Sequence, residues 1–236
     1  VSKSQSILER PPLLVDLIIQ KLRSNIITNQ LTPGTRLTEE KLAADLKISR
    51  TPLREALIRM EYLGYIKRGS VRGWEVASLK MEKVLGQYEL KTIIEVNAVL
   101  LSSEKSRVNT VKDLRKVLKK MKAAVEADDH DLYRRLDFDF HKVLVKHHNN
   151  SYMNEVYLTL MDFIEWMRNL SIYPALQMDE SFRNHTAIAQ ALEDGDMKHA
   201  GEMLFTHLNI ALQKIKDNLH LDTYENLEDI KALFRP

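Results

Sequence analysis

Apolar residues recur at spacings of three and four along most of this chain, and strand-like runs are confined to one short stretch. The series Leu13, Leu14, Leu17, Ile18, Leu22, Ile26, Ile27 predicts an amphipathic helix, which Asn29-Gln30 ends. Thr32-Pro33-Gly34-Thr35 is a turn signal. A second helix is predicted from about Glu39 to Leu46, with Thr38 as N-cap and Leu42, Ala43 and Leu46 as its apolar face. Lys47-Ile48-Ser49 interrupts the pattern. A third helix, capped by Ser49 or Thr51, carries Pro52 in its first turn, where a missing N–H costs nothing. It continues through Ala56, Leu57, Met60 and Leu63 and closes at Gly64. Tyr65-Ile66-Lys67-Arg68 and Gly73-Trp74-Glu75-Val76 then read as two β runs around a turn.

From Leu79 onward the periodicity is helical throughout. Six helices are predicted, at roughly 81–106, 111–127, 130–147, 151–172, 178–193 and 196–220. Asn109-Thr110, Asp128-Asp129, Asn149-Asn150, Pro174 and Asp194-Gly195-Asp196 punctuate them. The tail, 221–236, is acidic and then apolar, and reads as a short docking helix. The predicted fold is mainly α: a head over residues 1–78 and an all-α antiparallel bundle over 79–236.

Composition narrows the chemistry. The 236 residues contain no cysteine, which excludes thiolate zinc sites, iron–sulfur clusters and cysteine nucleophiles together. Any transition metal must be held by histidine and carboxylate. Seven glycines and no GxGxxG or GxxxxGK[ST] pattern leave little room for a nucleotide-dependent enzyme. No run of eighteen apolar residues predicts a membrane span, and the N-terminus lacks the apolar core of a secretory signal, so a cytoplasmic protein is expected. The net charge of +2 hides an asymmetry. Residues 1–78 hold 13 Lys and Arg against 8 Asp and Glu; the remainder holds 22 against 25. The basic front points to a polyanionic partner.

Three helices and a β-hairpin in under eighty residues is the layout of a winged helix-turn-helix. In that unit the N-terminal end of the recognition helix enters the major groove. Here that end reads Ser49-Arg50-Thr51-Pro52-Leu53-Arg54. Arg50 and Arg54 are four apart and share a helix face, and an arginine can fork onto O6 and N7 of guanine. Ser49 and Thr51 suit phosphate or base-edge hydrogen bonds, and the helix N-terminus itself favours a phosphate. Lys67, Arg68 and Arg72 would sit at the wing. An arginine pair near a helix start is ordinarily solvated surface; its place in a complete helix-turn-helix-hairpin pattern favours DNA.

The phrases Leu31-Thr-Pro-Gly-Thr-Arg-Leu-Thr-Glu-Glu-Lys-Leu-Ala, Ile48-Ser-Arg-Thr-Pro-Leu-Arg-Glu-Ala-Leu, Leu63-Gly-Tyr-Ile and Arg72-Gly73 resemble the DNA-binding domain of GntR-type bacterial transcription regulators. By that resemblance Arg50, Thr51 and Arg54 are the base-reading and phosphate-binding residues, Gly73 is the wing glycine, and Lys41 occupies a position that is often basic and near phosphate. The partner implied is double-stranded operator DNA. One departure stands out: the family usually has glycine in the helix–helix turn, where this chain has Lys47. A lysine in the left-handed region there would carry ~1 kcal/mol of local strain.

All eight histidines lie beyond residue 78. Asp137 and His141 are four apart and so share a helix face; His185 and His207 fall mid-helix. A histidine on a half-apolar helix is more often a hydrogen-bonded core residue than a ligand. The stretches Asp137-Phe-Asp-Phe-His141, His185-Thr-Ala-Ile-Ala-Gln-Ala-Leu-Glu-Asp-Gly-Asp196 and Ala200-x-x-Met203-x-x-x-His207 resemble the FCD effector domain of the FadR branch of the same family. The resemblance implies a metal held by Asp137, His141, His185 and His207. That nitrogen and oxygen set suits a divalent transition metal, zinc foremost, with nickel, manganese or iron as alternatives. Family members often fix an organic acid with an arginine on the first helix of this domain. Lys91 stands there, keeping the charge but losing the two-pronged grip, and Arg134 is a further candidate for the effector. Asn184 stands where a glutamate is common.

The expected protein is a regulator, not an enzyme. It would be a homodimer whose hold on operator DNA responds to a small carboxylate at a metal site. A metal-responsive regulator with no organic effector, a purely structural metal and a metal-dependent hydrolase are the alternatives.

Overall fold

The computed structural model describes residues 13–69, 73–78, 81–169 and 177–218. The expectations placed on the tail (221–236), on the wing turn (70–72) and on Pro174 lie outside those residues. The chain divides at 80/81 into two compact units, each considered by itself below. The described residues are mainly helical, with a small three-stranded sheet in the first unit. No helix among them is long and apolar enough to cross a membrane.

The first unit contains α1 (Leu14–Ile27), β1 (Arg36–Leu37), α2 (Glu39–Leu46), α3 (Arg50–Tyr62), β2 (Ile66–Arg68) and β3 (Trp74–Val76). Val15, Ile18, Leu22 and Ile26 form the buried stripe of α1, and Leu53, Ala56, Leu57 and Met60 that of α3. Each such Leu or Ile contributes about 1.5–3 kcal/mol by leaving water. Thr38 caps α2, its hydroxyl accepting from the Lys41 N–H at 3.3 Å. The antiparallel sheet has the order β1-β3-β2, with Leu37 opposite Trp74 and Ile66 opposite Val76. β1 has no counterpart in the sequence reading, because two residues cannot display an alternation. The wing docks on the core through Tyr65, Ile66, Trp74 and Val76, all buried.

The second unit contains α4 (Met81–Leu100), α5 (Glu104–Glu126), α6 (His130–Lys146), α7 (Ser151–Asn169), α8 (Met178–Asp194) and α9 (Met197–Asn218). One boundary differs from expectation: the break between the first two helices falls at residues 101–103, ahead of Asn109-Thr110. Ser103 takes the N-cap, its hydroxyl accepting from the Ser106 N–H at 3.3 Å, while Thr110 is buried inside α5. Serine and asparagine both cap well, so the choice follows burial: Ser106, Thr110 and Val111 lie on the buried face of α5. Asp129 caps α6 in the same way, accepting from the Leu132 N–H at 2.9 Å. Gly195, with φ of 82°, ends α8 in the left-handed region. α4 packs on α6, α7 and α9, and α8 on α5, α6 and α9. This brings the middles of α4, α6, α8 and α9 around one interior volume.

Candidate functional site

In the first unit, Ser49, Arg50, Thr51 and Arg54 cluster at the exposed start of α3. The first turn of α3 has no acidic residue, so its N–H groups present an unopposed positive end. Ser49 has N-cap backbone geometry without a side-chain cap hydrogen bond. Arg54 is engaged: its Nε donates to Glu39 Oε1 at 3.0 Å and its Nη2 to Oε2 at 2.7 Å. That hydrogen-bonded pair holds the Glu39 carboxyl below the usual range. The fork of Arg54 is thus aimed by α2, although the pair is too exposed to contribute much stability. Lys41 is exposed on α2. Lys47 has φ of 54° and ψ of 46°, so the lysine does sit in the left-handed turn. Gly73 has φ of 120°, and a Cβ there would lie 3.0 Å from the Leu37 carbonyl oxygen. The wing therefore requires glycine at this point. Lys67 pairs with Glu75 at 3.2 Å, and the Arg68 guanidinium stacks 3.7 Å from the Trp74 ring centre. Arg72 lies outside the described residues.

In the second unit, α6 contributes Asp137 and His141, α8 contributes His185, and α9 contributes His207. One ligand atom from each lies within 4.8 Å of all the others. His185 Nε2 and His207 Nε2 are 3.1 Å apart, and Asp137 Oδ1 is 3.6 Å from His185 Nε2. Asp137, His141 and His185 are buried and His207 half-buried. Phe140 stacks on His185 with ring centres 4.1 Å apart, which fixes that ring. Burial, and then the facing His141, push the His207 imidazole down to about 4. Its lone pair is therefore available at neutral pH.

This donor set fits a divalent transition metal. Ligands bonded to one such ion at about 2.0–2.2 Å lie roughly 3–4 Å apart, so a small contraction of the cluster would close on it. Three imidazoles and one carboxylate, with no sulfur, belong to the zinc, nickel and manganese range. His147 instead bonds Asp113 at 2.9 Å, and His130 and His199 are exposed. His148 is half-buried, and His220 lies outside the described residues.

Lys91 and Glu95, one turn apart on α4, are almost fully buried and 2.7 Å apart. Glu95 also accepts from His141 Nδ1 at 2.7 Å and from the Tyr157 hydroxyl at 2.5 Å. Burial drives the Glu95 carboxyl upward, but His141 and Lys91 outweigh it and hold it at about 2. Burial pushes the Tyr157 hydroxyl well above its usual value, so it remains a donor. Arg134 is exposed and pairs with Asp131 at 3.3 Å. Sequence reasoning missed Glu95 and Tyr157. A charged pair at i and i+4 on an otherwise apolar helix face was the signal for Glu95; Tyr157 offered none.

A winged helix-turn-helix with a basic recognition end, joined to a helical domain with a buried histidine–carboxylate centre, defines a DNA-binding transcription regulator. The profile of the bacterial regulatory proteins of the gntR family matches residues 14–76, and that of the FCD domain matches residues 87–209. The chain belongs to the GntR family, in its FCD-containing, FadR-like branch. It is 27% identical over 211 residues to the gluconate operon transcriptional repressor of Bacillus licheniformis, covering 84% of this chain and 83% of that one. It is 24% identical over 209 residues to the transcriptional repressor RspR of Escherichia coli, covering 89% and 90%. In fold it resembles a GntR-type transcriptional regulator from Rhodococcus sp. RHA1, with a TM-score of 0.70 at 20% identity over 89% of this chain and 99% of that one.

Proposed function

We propose that the protein is a metabolite-responsive regulator. A homodimer would read a two-fold operator through Ser49, Arg50, Thr51 and Arg54 at the start of α3. Lys41, Arg72 and the Gly73 wing would hold the flanking backbone. In the helical unit, Asp137, His141, His185 and His207 hold a divalent transition metal, zinc foremost and nickel or manganese otherwise. A small carboxylate completes the site at the metal itself; of the two cations expected to hold it, Lys91 is paired with Glu95 and Arg134 with Asp131. The acid alters DNA affinity only by favouring one arrangement of the dimer, since a ligand that binds both arrangements equally shifts nothing. The carrying observation is the convergence of four ligand atoms within 4.8 Å from three helices. That two relatives control gluconate operons agrees with an organic acid as signal.

When bound, the metal supplies a Lewis-acidic centre for a carboxylate oxygen. The chain's own residues shape the rest: Phe140 fixes His185, and the bundle interior limits access of water. The close pairing of Lys91 with Glu95 favours one second reading, a regulator that responds to the metal alone. The test is operator binding by the full-length chain, using a site selected from random DNA. Fluorescence anisotropy would be read with added zinc, with chelator, and with zinc plus a panel of small carboxylates. The proposal expects sequence-specific binding that one class of acid changes only in the metal-loaded protein. A response to chelator but to no acid supports the metal-only reading; indifference to both overturns the proposal.

A further inference from the structure

Glu95 has no solvent exposure and gathers donors from three helices. The Lys91 ammonium of α4 and the Tyr157 hydroxyl of α7 meet its Oε1, at 2.7 and 2.5 Å, and His141 of α6 meets its Oε2 at 2.7 Å. Burying a carboxylate is costly even when it is paired, and an apolar side chain would fill the inner face of α4 at less cost. Fold stability therefore gives no reason for this residue. The geometry at His141 does. A carboxylate only accepts hydrogen bonds, so the contact puts a proton on Nδ1, and of the two neutral tautomers it selects the one whose Nε2 carries the lone pair. Nδ1 is thereby committed to Glu95, and Nε2 is the nitrogen left to face a ligand. His141 packs with its ring 5.3 Å from that of His185 and 5.5 Å from that of His207.

We infer that Glu95 is a positioning residue for the histidine–carboxylate centre: it selects the His141 tautomer, fixes the ring through Nδ1, and takes Lys91 as its counter-ion. Lys91 then serves Glu95 in place of gripping the effector, so a bound acid is held by the centre itself. This rests on the proposed metal site. Carboxylates that orient a metal-bound histidine through its second nitrogen typically change metal affinity 10–100-fold when lost.

Two measurements on the full-length chain test it. In metal-free wild-type protein, long-range ¹H–¹⁵N spectra of the histidine side chains, recorded at a pH where the ring is neutral, should show His141 protonated on Nδ1. A neutral ring protonated on Nε2 overturns the inference. In Glu95→Gln, zinc affinity measured by competition with a chelator should fall about 10–100-fold, and His141 should populate both tautomers. A fall confined to the thermal stability of the metal-free protein, with zinc affinity within twofold of wild type, overturns it while leaving the metal site standing. Should Glu95→Gln not fold, the wild-type tautomer decides. Wild-type protein that takes up no zinc overturns the metal site itself, and the inference with it.

Discussion

Arg54 donates to both oxygens of Glu39 within the fold itself, whereas Arg50, at the first position of α3, is exposed. The two arginines share a helix face but would meet a proposed guanine contact on different terms: Arg54 would arrive oriented, and Arg50 would be ordered by the contact. Arg50→Ala is expected to weaken specific operator binding by about 1–3 kcal/mol, roughly 5- to 150-fold, and to relax discrimination at one base position. Titration of operator and single-base variants checks this; an unchanged affinity would refute the assignment. Residues whose partners are near in sequence were legible from it: the arginines at i and i+4, and Asp137 with His141. Glu95 was legible only as the i, i+4 partner of Lys91; its place at the centre was not, because His141 and Tyr157 lie 46 and 62 positions away. Only the packing of α4 against α6 and α7 brings them together. His185 and His207 were reachable through family resemblance, since nothing in their spacing marks them as ligands.

The turn between α2 and α3 shows what a single element costs. Lys47 holds the left-handed conformation that a side chain enters at about 1–2 kcal/mol, a penalty glycine avoids while losing more chain entropy. Lys47→Gly should therefore stabilise the head by about 0.5–1 kcal/mol, measured by denaturant unfolding; a loss of stability would show that the turn is held by something other than its backbone. In the second unit α5 and α6 are tied at Asp113, which accepts from Lys116 at 2.7 Å, Lys146 at 3.1 Å and His147 at 2.9 Å. These donors hold the Asp113 carboxyl well below its ordinary 3.8. A depressed carboxyl contributes stability that is complete above its unfolded value and is lost as pH falls through the folded one. Asp113→Asn should thus be less stable than wild type at about pH 7, and the gap should narrow at about pH 3. An equal gap at both values would show that the ionised carboxylate is not what stabilises this corner. Helix number and type were legible because apolar periodicity over twenty residues is a strong signal. The break at 101–103 was not, because Ser102-Ser103 and Asn109-Thr110 are both acceptable stops and the choice lies in which residues the bundle buries.

At the scale of the molecule, charge and chemistry divide with the chain. The basic excess lies in residues 1–78, and every histidine lies after them. The chain also divides into two compact units, at 80/81. Coupling between the units is proposed to act through a dimer, and its energy would come from differential binding at the buried centre. A ligand that binds only the folded state stabilises it by about 2.7 kcal/mol at a hundredfold excess over its Kd, so metal loading should raise the melting temperature and chelation should lower it. The most direct measurement is the metal content of the untagged chain purified without chelator, by inductively coupled plasma mass spectrometry, beside His207→Ala prepared identically. The account predicts close to one divalent transition-metal ion per wild-type chain, with loss of that metal and of the melting increment in His207→Ala. A wild-type protein that carries none, and neither takes up added zinc, nickel or manganese nor changes its melting temperature in their presence, would contradict it and return Asp137, His141, His185 and His207 to the status of hydrogen-bonded core residues.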